Sequence, residues 1–180
     1  MNIISDDIVL RAIEQEDAQL LKDLINDPAI EKMVVGWSFP VSTHKQINWI
    51  NSLGNDLNNV RFIIDVKNIG GVGLASLTQI DYKNGTATIN IKIKNDEEIR
   101  RKGIGYKAIM ALIDYAFNQL NLNCLTANIL SYNHASQRLF EKCGFICEGT
   151  LRHRVFKNGE YQDLLSYSLL RSEYYERNRQ

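Results

Sequence analysis

Cysteine and histidine are scarce in this sequence, and neither is spaced as a metal site or a disulfide framework would require. The 180 residues contain three of each. An odd set of cysteines (Cys124, Cys143 and Cys147) excludes a fold built on paired disulfides and indicates free thiols in a reducing compartment. Cys143 and Cys147 lie four residues apart, but one further cysteine and no histidine pair do not complete a zinc site. We therefore expect no metal.

Long apolar runs and an excess of one charge are also missing. No stretch approaches the roughly 18 apolar residues needed to cross a membrane, and residues 1–10 lack the basic start and apolar run of a signal peptide. Lysine plus arginine equals aspartate plus glutamate at 21 each, so the formal net charge is zero. A basic face for nucleic acid is not expected. These absences predict a soluble cytoplasmic protein without a membrane or nucleic-acid partner.

Apolar residues make up 44% of the chain, which is enough for one core at this length. No repeat, low-complexity segment or linker divides it, so we predict a single domain over residues 1–180. Hydrophobic periodicity predicts helices at 17–27, from about Thr43, at 103–120 and at 135–143, and the polar tail from Arg171 is expected to fray. Strand patterns occur at residues 8–13, 60–66, 72–80, 86–93, 122–130, 145–154 and 161–169.

The order of these elements predicts a mixed α/β fold. Turn residues separate the three strands between 60 and 93, which indicates an antiparallel meander. A strand, a long helix and another strand follow over residues 86–130, and this unit is expected to form a right-handed parallel crossover. The last two strands are joined by Asn158-Gly159, a hairpin signal.

The most informative stretch is Arg100-Arg101-Lys102-Gly103-Ile104-Gly105-Tyr106-Lys107. Two glycines at spacing two let the backbone turn tightly, and the helix that begins there presents free N–H groups to an anion. The stretch is neither a Walker A loop nor a dinucleotide fingerprint, because the required lysine-serine/threonine ending and third glycine are missing. A diphosphate site and a solvated basic turn are the two interpretations.

Two motifs in this sequence resemble those of the GNAT N-acetyltransferases. Arg100-x-x-Gly103-x-Gly105 is similar to that superfamily's (Gln/Arg)-x-x-Gly-x-(Gly/Ala) signature. The segment from Asn133 to Phe145 is similar to its Asn-x-x-(Ala/Ser)-x-x-x-(Tyr/Phe)-Glu-Lys-x-Gly-Phe segment. The C-terminal hairpin resembles the branch that includes ribosomal-protein N-terminal, polyamine and amino-sugar acetyltransferases. The likeness covers roughly residues 5–172.

The resemblance implies a twisted, mostly antiparallel sheet of about seven strands, flanked by helices and splayed at a cleft for acetyl-CoA. It implies that the backbone of Ile91, Lys92 and Ile93 pairs with the pantetheine arm. Asn133 would contact the pantetheine, cap a helix, or do both. The residues expected to bind the diphosphate are Arg100, Arg101, Lys102, Gly103, Ile104, Gly105 and Tyr106.

The catalytic positions depart from the usual pattern of the superfamily. Thr88 stands where many members have a glutamate base, and Phe140 stands where many have a tyrosine acid. Ser136 matches a serine of the ribosomal-protein branch and is expected to face the leaving sulfur, unless it is only a first-turn helix serine. Two candidates remain for the base: water relayed by Asn90 and Thr88, or a carboxylate such as Asp163. A structural role at a strand end would explain Asp163 equally well.

The acceptor is expected between the early helices and the last hairpin. Trp37, Phe39, His44 and Asp163 are the candidate contacts, although Trp37 and Phe39 would also serve as packing residues. The acidic residues of 1–31 suggest either a lip for a cation or a solvated face. We rank a small amine, possibly an amino sugar, before a protein N-terminus and a polyamine. A non-catalytic acyl-CoA-binding module stays open, and a homodimer is possible.

Overall fold

An eight-stranded sheet forms the centre of the structure, a computed structural model that describes residues 2–36, 39–99 and 102–179. Its spatial order is β1-β2-β3-β4-β5-β6-β8-β7, and only β5 and β6 pair in parallel. The mixed, mostly antiparallel sheet is therefore confirmed, with one strand more than expected. The strands are β1 (Ile3–Ser5), β2 (Ile8–Arg11), β3 (Val60–Val66), β4 (Gly70–Asp81), β5 (Thr86–Ile93), β6 (Cys124–Leu130), β7 (Ile146–Lys157) and β8 (Glu160–Leu170).

Helices cover both faces of this sheet. One face is covered by α4, whose Ile109, Leu112 and Ile113 are completely buried because its sequence is apolar on nearly every side. The other face carries α1 and α3, where Leu21 and Ile50 pack against Ile63. No helix in the described part of the chain is long and apolar enough to span a membrane. The helices are α1 (Ala18–Asn26), α2 (Pro28–Glu31), α3 (Thr43–Ser52), α4 (Ile104–Asn118), α5 (His134–Lys142) and α6 (Arg171–Asn178).

Helix α3 begins at Thr43, as predicted. The side chain of Ser42 caps it by accepting a hydrogen bond from Lys45 N at 3.2 Å. Pro28 ends α1 as predicted but also begins α2, where its missing N–H costs nothing. Asp27 caps that short helix by accepting from Ala29 N at 2.8 Å.

The C-terminal segment forms α6, so the prediction that it frays was wrong. Glu173 accepts a hydrogen bond from Leu170 N at 2.8 Å, which satisfies an otherwise free donor at the helix start. Tyr174 packs its ring 5.5 Å from that of Phe117. Arg177 donates to Lys142 O at 2.8 Å. Tertiary contacts thus hold a segment whose polarity alone suggested a loose tail.

The parallel pairing of β5 with β6 is short. It covers three residue pairs, from Thr86–Cys124 to Thr88–Thr126. Beyond these pairs β5 continues beside β4 as far as Ile93, and β6 continues beside β8 as far as Leu130. The two strands therefore diverge and leave a cleft, which confirms the predicted splay.

The cysteines are all free thiols in this fold. Cys147 is exposed, Cys124 is half-buried and Cys143 is buried. Burial raises the pKa of the Cys143 thiol to about 12, which leaves it protonated at neutral pH. Across the described ranges, no cluster of three or more histidine, cysteine or acidic side chains is close enough to hold a metal ion.

An ion-pair network fixes the entry to α1. Arg11 donates from both terminal nitrogens to the carboxylate of Asp17, at 2.8 and 2.9 Å, and from Nε to Asp65 at 2.7 Å. Asp17 is only 6% exposed. Burial opposes ionisation of Asp17, but hydrogen bonds from Arg11 and from Glu14 N–H outweigh it and lower the pKa of the carboxyl. The network therefore joins β2, β3 and α1.

Replacing Arg11 with leucine should destabilise the protein by about 3 kcal/mol at neutral pH, because Asp17 would stay buried without its counter-ion. We use the low end of the range because the Arg11 side chain is 28% exposed. A lowered carboxyl pKa stabilises the fold above the ordinary value of 3.8, and this contribution is lost as the pH falls through the lowered pKa. The difference between variant and wild type should therefore shrink in acid.

Urea unfolding across a pH series measures both effects. Arg152→Leu is the matched control, since Arg152 is exposed on β7 and should change stability by less than about 0.5 kcal/mol. Equal losses from the two replacements would contradict the assigned role of Arg11.

Candidate active site

The cleft between the diverging ends of β5 and β6 is a cavity of about 100 Å³. The first turn of α5 closes one side, and the segment Met33–Val35 lies across it. That segment is held by the β6–α5 loop, because Tyr132 and Asn133 donate to the carbonyls of Lys32 and Met33 at 2.7 and 2.8 Å. The remaining lining residues are Ile89, Asn90, Ile91, Lys92, Ala127, Asn128, Ile129, Leu130, Ser136 and Phe140.

The start of α4 has the backbone geometry on which the predicted diphosphate site depends. Gly103 is the N-cap residue and has a left-handed φ of 72°, a conformation that favours glycine. The first intrahelical bond of this turn is Lys107 N to Gly103 O at 3.0 Å, which leaves the N–H groups of the three preceding residues outside the helical ladder. A Cβ placed on Gly103 would have no atom within 4 Å, so the space in front of these amides is open.

Positive charge near this turn is distributed differently from the sequence prediction. Lys107 pairs with Asp7, so its charge is already matched. Lys142 of α5 lies with its Nζ 4.7 Å from the centre of the Tyr106 ring and lines the same cavity as Gly103. Lys102 is exposed. The predicted contacts Arg100 and Arg101 lie outside the described residues.

Asn133 caps helix α5. Its side-chain oxygen accepts from Ser136 N at 3.1 Å while its amide nitrogen donates to Met33 O. The capping role is thus observed, and the predicted pantetheine contact stays a prediction. Ser136 is half-buried and lines the cleft one turn before Phe140, whose ring is 3% exposed and packs edge-on against Phe145 at 5.0 Å.

On β5, Thr88 and Asn90 differ in their access to the cleft. The Thr88 hydroxyl lies 3.1 Å from that of Thr126, at the last residue pair that joins β5 to β6. Thr88 lines neither the cleft nor a second cavity that adjoins it. Asn90 lines both, and its amide nitrogen donates to Thr78 Oγ1 at 2.9 Å. This bond turns the Asn90 amide oxygen away from Thr78. Asn90 is therefore the better placed of the two to hold a water molecule.

A second cavity, of about 590 Å³, adjoins the cleft and lies between helices α1 and α3 and the face of strands β3, β4 and β5. We call it the acceptor cavity. It shares Val35, Asn90, Ile91 and Lys92 with the cleft, so the two spaces meet at β5. Its other lining residues are Leu21, Leu24, Ile25, Val41, Lys45, Gln46, Trp49, Arg61, Leu74, Ser76 and Thr78.

Three of the predicted acceptor contacts, Phe39, His44 and Asp163, do not line this cavity. Phe39 is 66% exposed and lines a separate cavity beside Phe156. His44 is exposed on α3, with its ring 3.0 Å from the Asn48 amide. The Asp163 carboxylate accepts from His153 N at 2.8 Å and supports an irregular turn in β7, where His153 has a φ of 47°. Asp163 thus has the structural role left open above, and Trp37 lies outside the described residues.

The sequence prediction missed the residues that do line the cavity on α3 and the strands. Gln46 is 4% exposed and Ser76 is 6% exposed. Gln46 lies four residues before the buried Ile50, on the inward side of α3, so a polar residue in an apolar stripe was the available signal. Ser76 and Arg61 gave no signal, because their place depends on strand pairing.

Three of the acidic residues near the N-terminus form ion pairs. Asp7 pairs with Lys107, Asp17 with Arg11, and Glu31 with Lys157. None of the residues that line the acceptor cavity in the described ranges is an aspartate or a glutamate.

Comparison with known proteins agrees with this geometry. The family described as acetyltransferase (GNAT) domain matches residues 7–146. This chain is a GNAT acetyltransferase. As a member of that family it uses acetyl-CoA and transfers the acetyl group to an amine, which sets aside the non-catalytic alternative.

This GNAT acetyltransferase is similar over nearly its whole length to the spermidine N(1)-acetyltransferase of Vibrio cholerae, with 28% identity covering 97% of this chain and 99% of the relative. It is 31% identical to the putative ribosomal N-acetyltransferase YdaF of Bacillus subtilis, over 95% of each chain. A crystal structure of the V. cholerae spermidine N-acetyltransferase with CoA and spermine has a TM-score of 0.87 at 29% identity, covering 94% of this chain and 98% of that one.

Replacing Gly103 with valine should weaken coenzyme A binding at least about tenfold, because a β-branched residue resists a positive φ and its side chain would occupy the open space before the amides. Calorimetric titration with coenzyme A measures the change. Gly159→Val is the control, since Gly159 also has a positive φ, of 85°, and open space around its Cβ, but lies in the turn between β7 and β8 and does not line the cavity at Gly103. Unchanged affinity in Gly103→Val would remove the diphosphate site from this loop.

Proposed function

We propose that this enzyme acetylates the primary amine of a small molecule held in the acceptor cavity, with an amino sugar as the leading candidate. The observation that supports this is the cavity of about 590 Å³ that meets the thioester cleft at Asn90, Ile91 and Lys92. Small-molecule pockets are of this size, mostly apolar and provided with a few polar groups. Trp49 offers an aromatic surface and Gln46 a buried amide for a ligand of that kind.

The chemistry requires a neutral amine to meet the thioester carbonyl. The amine nitrogen forms a bond to the carbonyl carbon as the carbon–sulfur bond breaks, and the thiolate leaves with a proton. Asn90 is positioned to hold a water molecule that accepts the ammonium proton, because its amide oxygen is turned away from Thr78. The hydroxyl of Ser136 is the protein donor proposed for the leaving sulfur. Positioning in the cleft supplies much of the remaining rate enhancement.

A polyamine is the second candidate acceptor. It is supported by the similarity to spermidine N(1)-acetyltransferases, which extends over nearly the whole chain. The described residues that line the acceptor cavity include no carboxylate, which makes the cavity less suited to a polycation. A protein N-terminus and the possible homodimer remain predictions from the sequence.

Turnover with a panel of amines tests the proposal. Purified enzyme and acetyl-CoA are incubated with amino sugars, amino acids, spermidine and a peptide with a free N-terminus, and thiol release and product mass are measured. A small amine other than spermidine should give the highest kcat/KM. Preference for the peptide, or thiol release with none of the amines despite coenzyme A binding, would contradict the proposal.

Replacing Ser136 with alanine should lower kcat by about ten- to a hundredfold while leaving coenzyme A affinity within about twofold, because a proton donor acts on the transition state rather than on binding. Rapid-mix turnover and calorimetric titration separate the two effects. Ser131→Ala is the control, as Ser131 precedes α5 and does not line the cleft. An unchanged kcat would leave Ser136 as a serine of the first helical turn.

A further inference from the structure

Two lysines in the acceptor cavity have no counter-ion. Lys92 on β5 and Lys45 on α3 both line the cavity, and neither forms an ion pair with any residue that the structure describes. Burial lowers the pKa of Lys92, and the nearby charge of Lys157 adds to this effect. Lys92 is half-buried and Lys45 is exposed. Partial burial without a counter-ion disfavours the charged form of Lys92, and a bound anion would offset this cost.

Arg61, the third cationic residue that lines the cavity, has a counter-ion, unlike Lys92 and Lys45. Arg61 donates to Asp56 at 3.0 Å, and its guanidinium lies 5.6 Å from the centre of the Trp49 ring. The charge and orientation of Arg61 are thus fixed within the protein. For Lys92 and Lys45, the protein provides no carboxylate on any wall of the cavity, as far as the structure describes it.

Buried polar groups accompany the two lysines. Gln46 is only 4% exposed, and its side chain forms no hydrogen bond with any described residue. Ser76, at 6% exposure, likewise has no side-chain hydrogen bond there. Among the described residues, no fully buried side-chain nitrogen or oxygen lacks a hydrogen-bond partner, so the polar atoms of Gln46 and Ser76 are open to the cavity. They can therefore form hydrogen bonds with a ligand bound there.

We propose that the acceptor carries an anionic group, a carboxylate or a phosphate, in addition to the amine that is acetylated. Lys92 and Lys45 bind this group, and Gln46 and Ser76 complete its hydrogen bonds. The apolar walls and Trp49 hold the body of the molecule between the anion and the thioester cleft. The inference rests on the proposed function and narrows it to amino acids or phosphorylated amino sugars, as opposed to neutral amines or polyamines.

The charge pattern explains why these acceptors are favoured over a polyamine. A polycation would bring further positive charge to a cavity with two unmatched ammonium groups, and such like-charge contacts reduce affinity. An anion would supply the missing partner for Lys92. Hydrogen bonds between a charged donor and a charged acceptor are about twice as strong as neutral ones.

Matched pairs of amines test the proposal in a kinetic assay with the intact enzyme and acetyl-CoA. Glucosamine phosphate is compared with glucosamine, and phenylalanine with phenethylamine; spermidine serves as the polycation. At least one anionic member should exceed its neutral partner in kcat/KM by about ten- to a hundredfold, as a charged hydrogen bond predicts. Which pair shows the difference distinguishes a phosphate from a carboxylate.

The lysine variants locate the anion. Lys92→Met and Lys45→Met should each reduce the anionic-to-neutral ratio toward one, while Lys83→Met, on an exposed turn away from the cavity, should leave it unchanged. Lys92→Met should also melt at or above the wild-type temperature, since it removes a half-buried cation without a counter-ion. If Lys92 were only structural, its replacement would not leave the melting temperature unchanged while removing the preference for anionic amines.

Three results would overturn the proposal, and they differ in meaning. Equal turnover within both pairs would show that the acceptor needs no anion, although the proposed function would stand. An unchanged ratio in both Lys92→Met and Lys45→Met would show that these residues do not bind the anion. A loss of turnover in Lys92→Met that affects every amine alike would assign Lys92 to the reaction itself. By contrast, coenzyme A binding without turnover of any amine would remove the proposed function.

Discussion

The loss of pairing between β5 and β6 after Thr88 and Thr126 is the constraint on which the rest of this molecule depends. Each strand keeps its other neighbour, so the sheet remains continuous while its centre opens. Backbone groups along the open edges need partners, which water or an extended ligand with amides can supply. Both cavities of the active site follow from this opening, because β5 forms a wall of each.

The segment Met33–Val35 makes the opening a usable site. It lies across the cleft because Asn133 and Tyr132 bind its backbone from one side. From the other side, the buried Lys157 of the last hairpin binds the Glu31 carbonyl at 3.0 Å and pairs with the Glu31 carboxylate. Asn133 therefore both caps α5 and holds a covering segment, so one amide links two walls of the cleft.

Most of the fold could be predicted from the sequence, because its strands and helices have strong periodicity and clear turn residues. The exceptions are an element too short to show a pattern and one that depends on distant partners. Strand β1 is three residues long and pairs with the adjacent β2, whereas α6 depends on contacts with Phe117 and Lys142. Local pattern carries no information on such contacts.

The loop proposed to bind the donor could be recognised in the sequence, and the cavity proposed to bind the acceptor could not. The loop around Gly103 is continuous in sequence, so its glycines and following helix are visible as one pattern. The acceptor cavity takes its polar residues from α3 and from three strands that are far apart in the chain. Phe39 and His44 were predicted as acceptor contacts from the chemistry of their side chains. On α3, however, Gln46 faces inward and His44 faces solvent.

This division has an evolutionary consequence. The two cavities share Val35, Asn90, Ile91 and Lys92, and none of the residues that line the acceptor cavity also lines the cavity at Gly103. Substitutions on α3 or β3 can therefore change the molecule that is modified without disturbing the use of the shared donor. A scaffold of this kind diversifies readily, and similarity over a whole chain is then better evidence for the donor than for the acceptor.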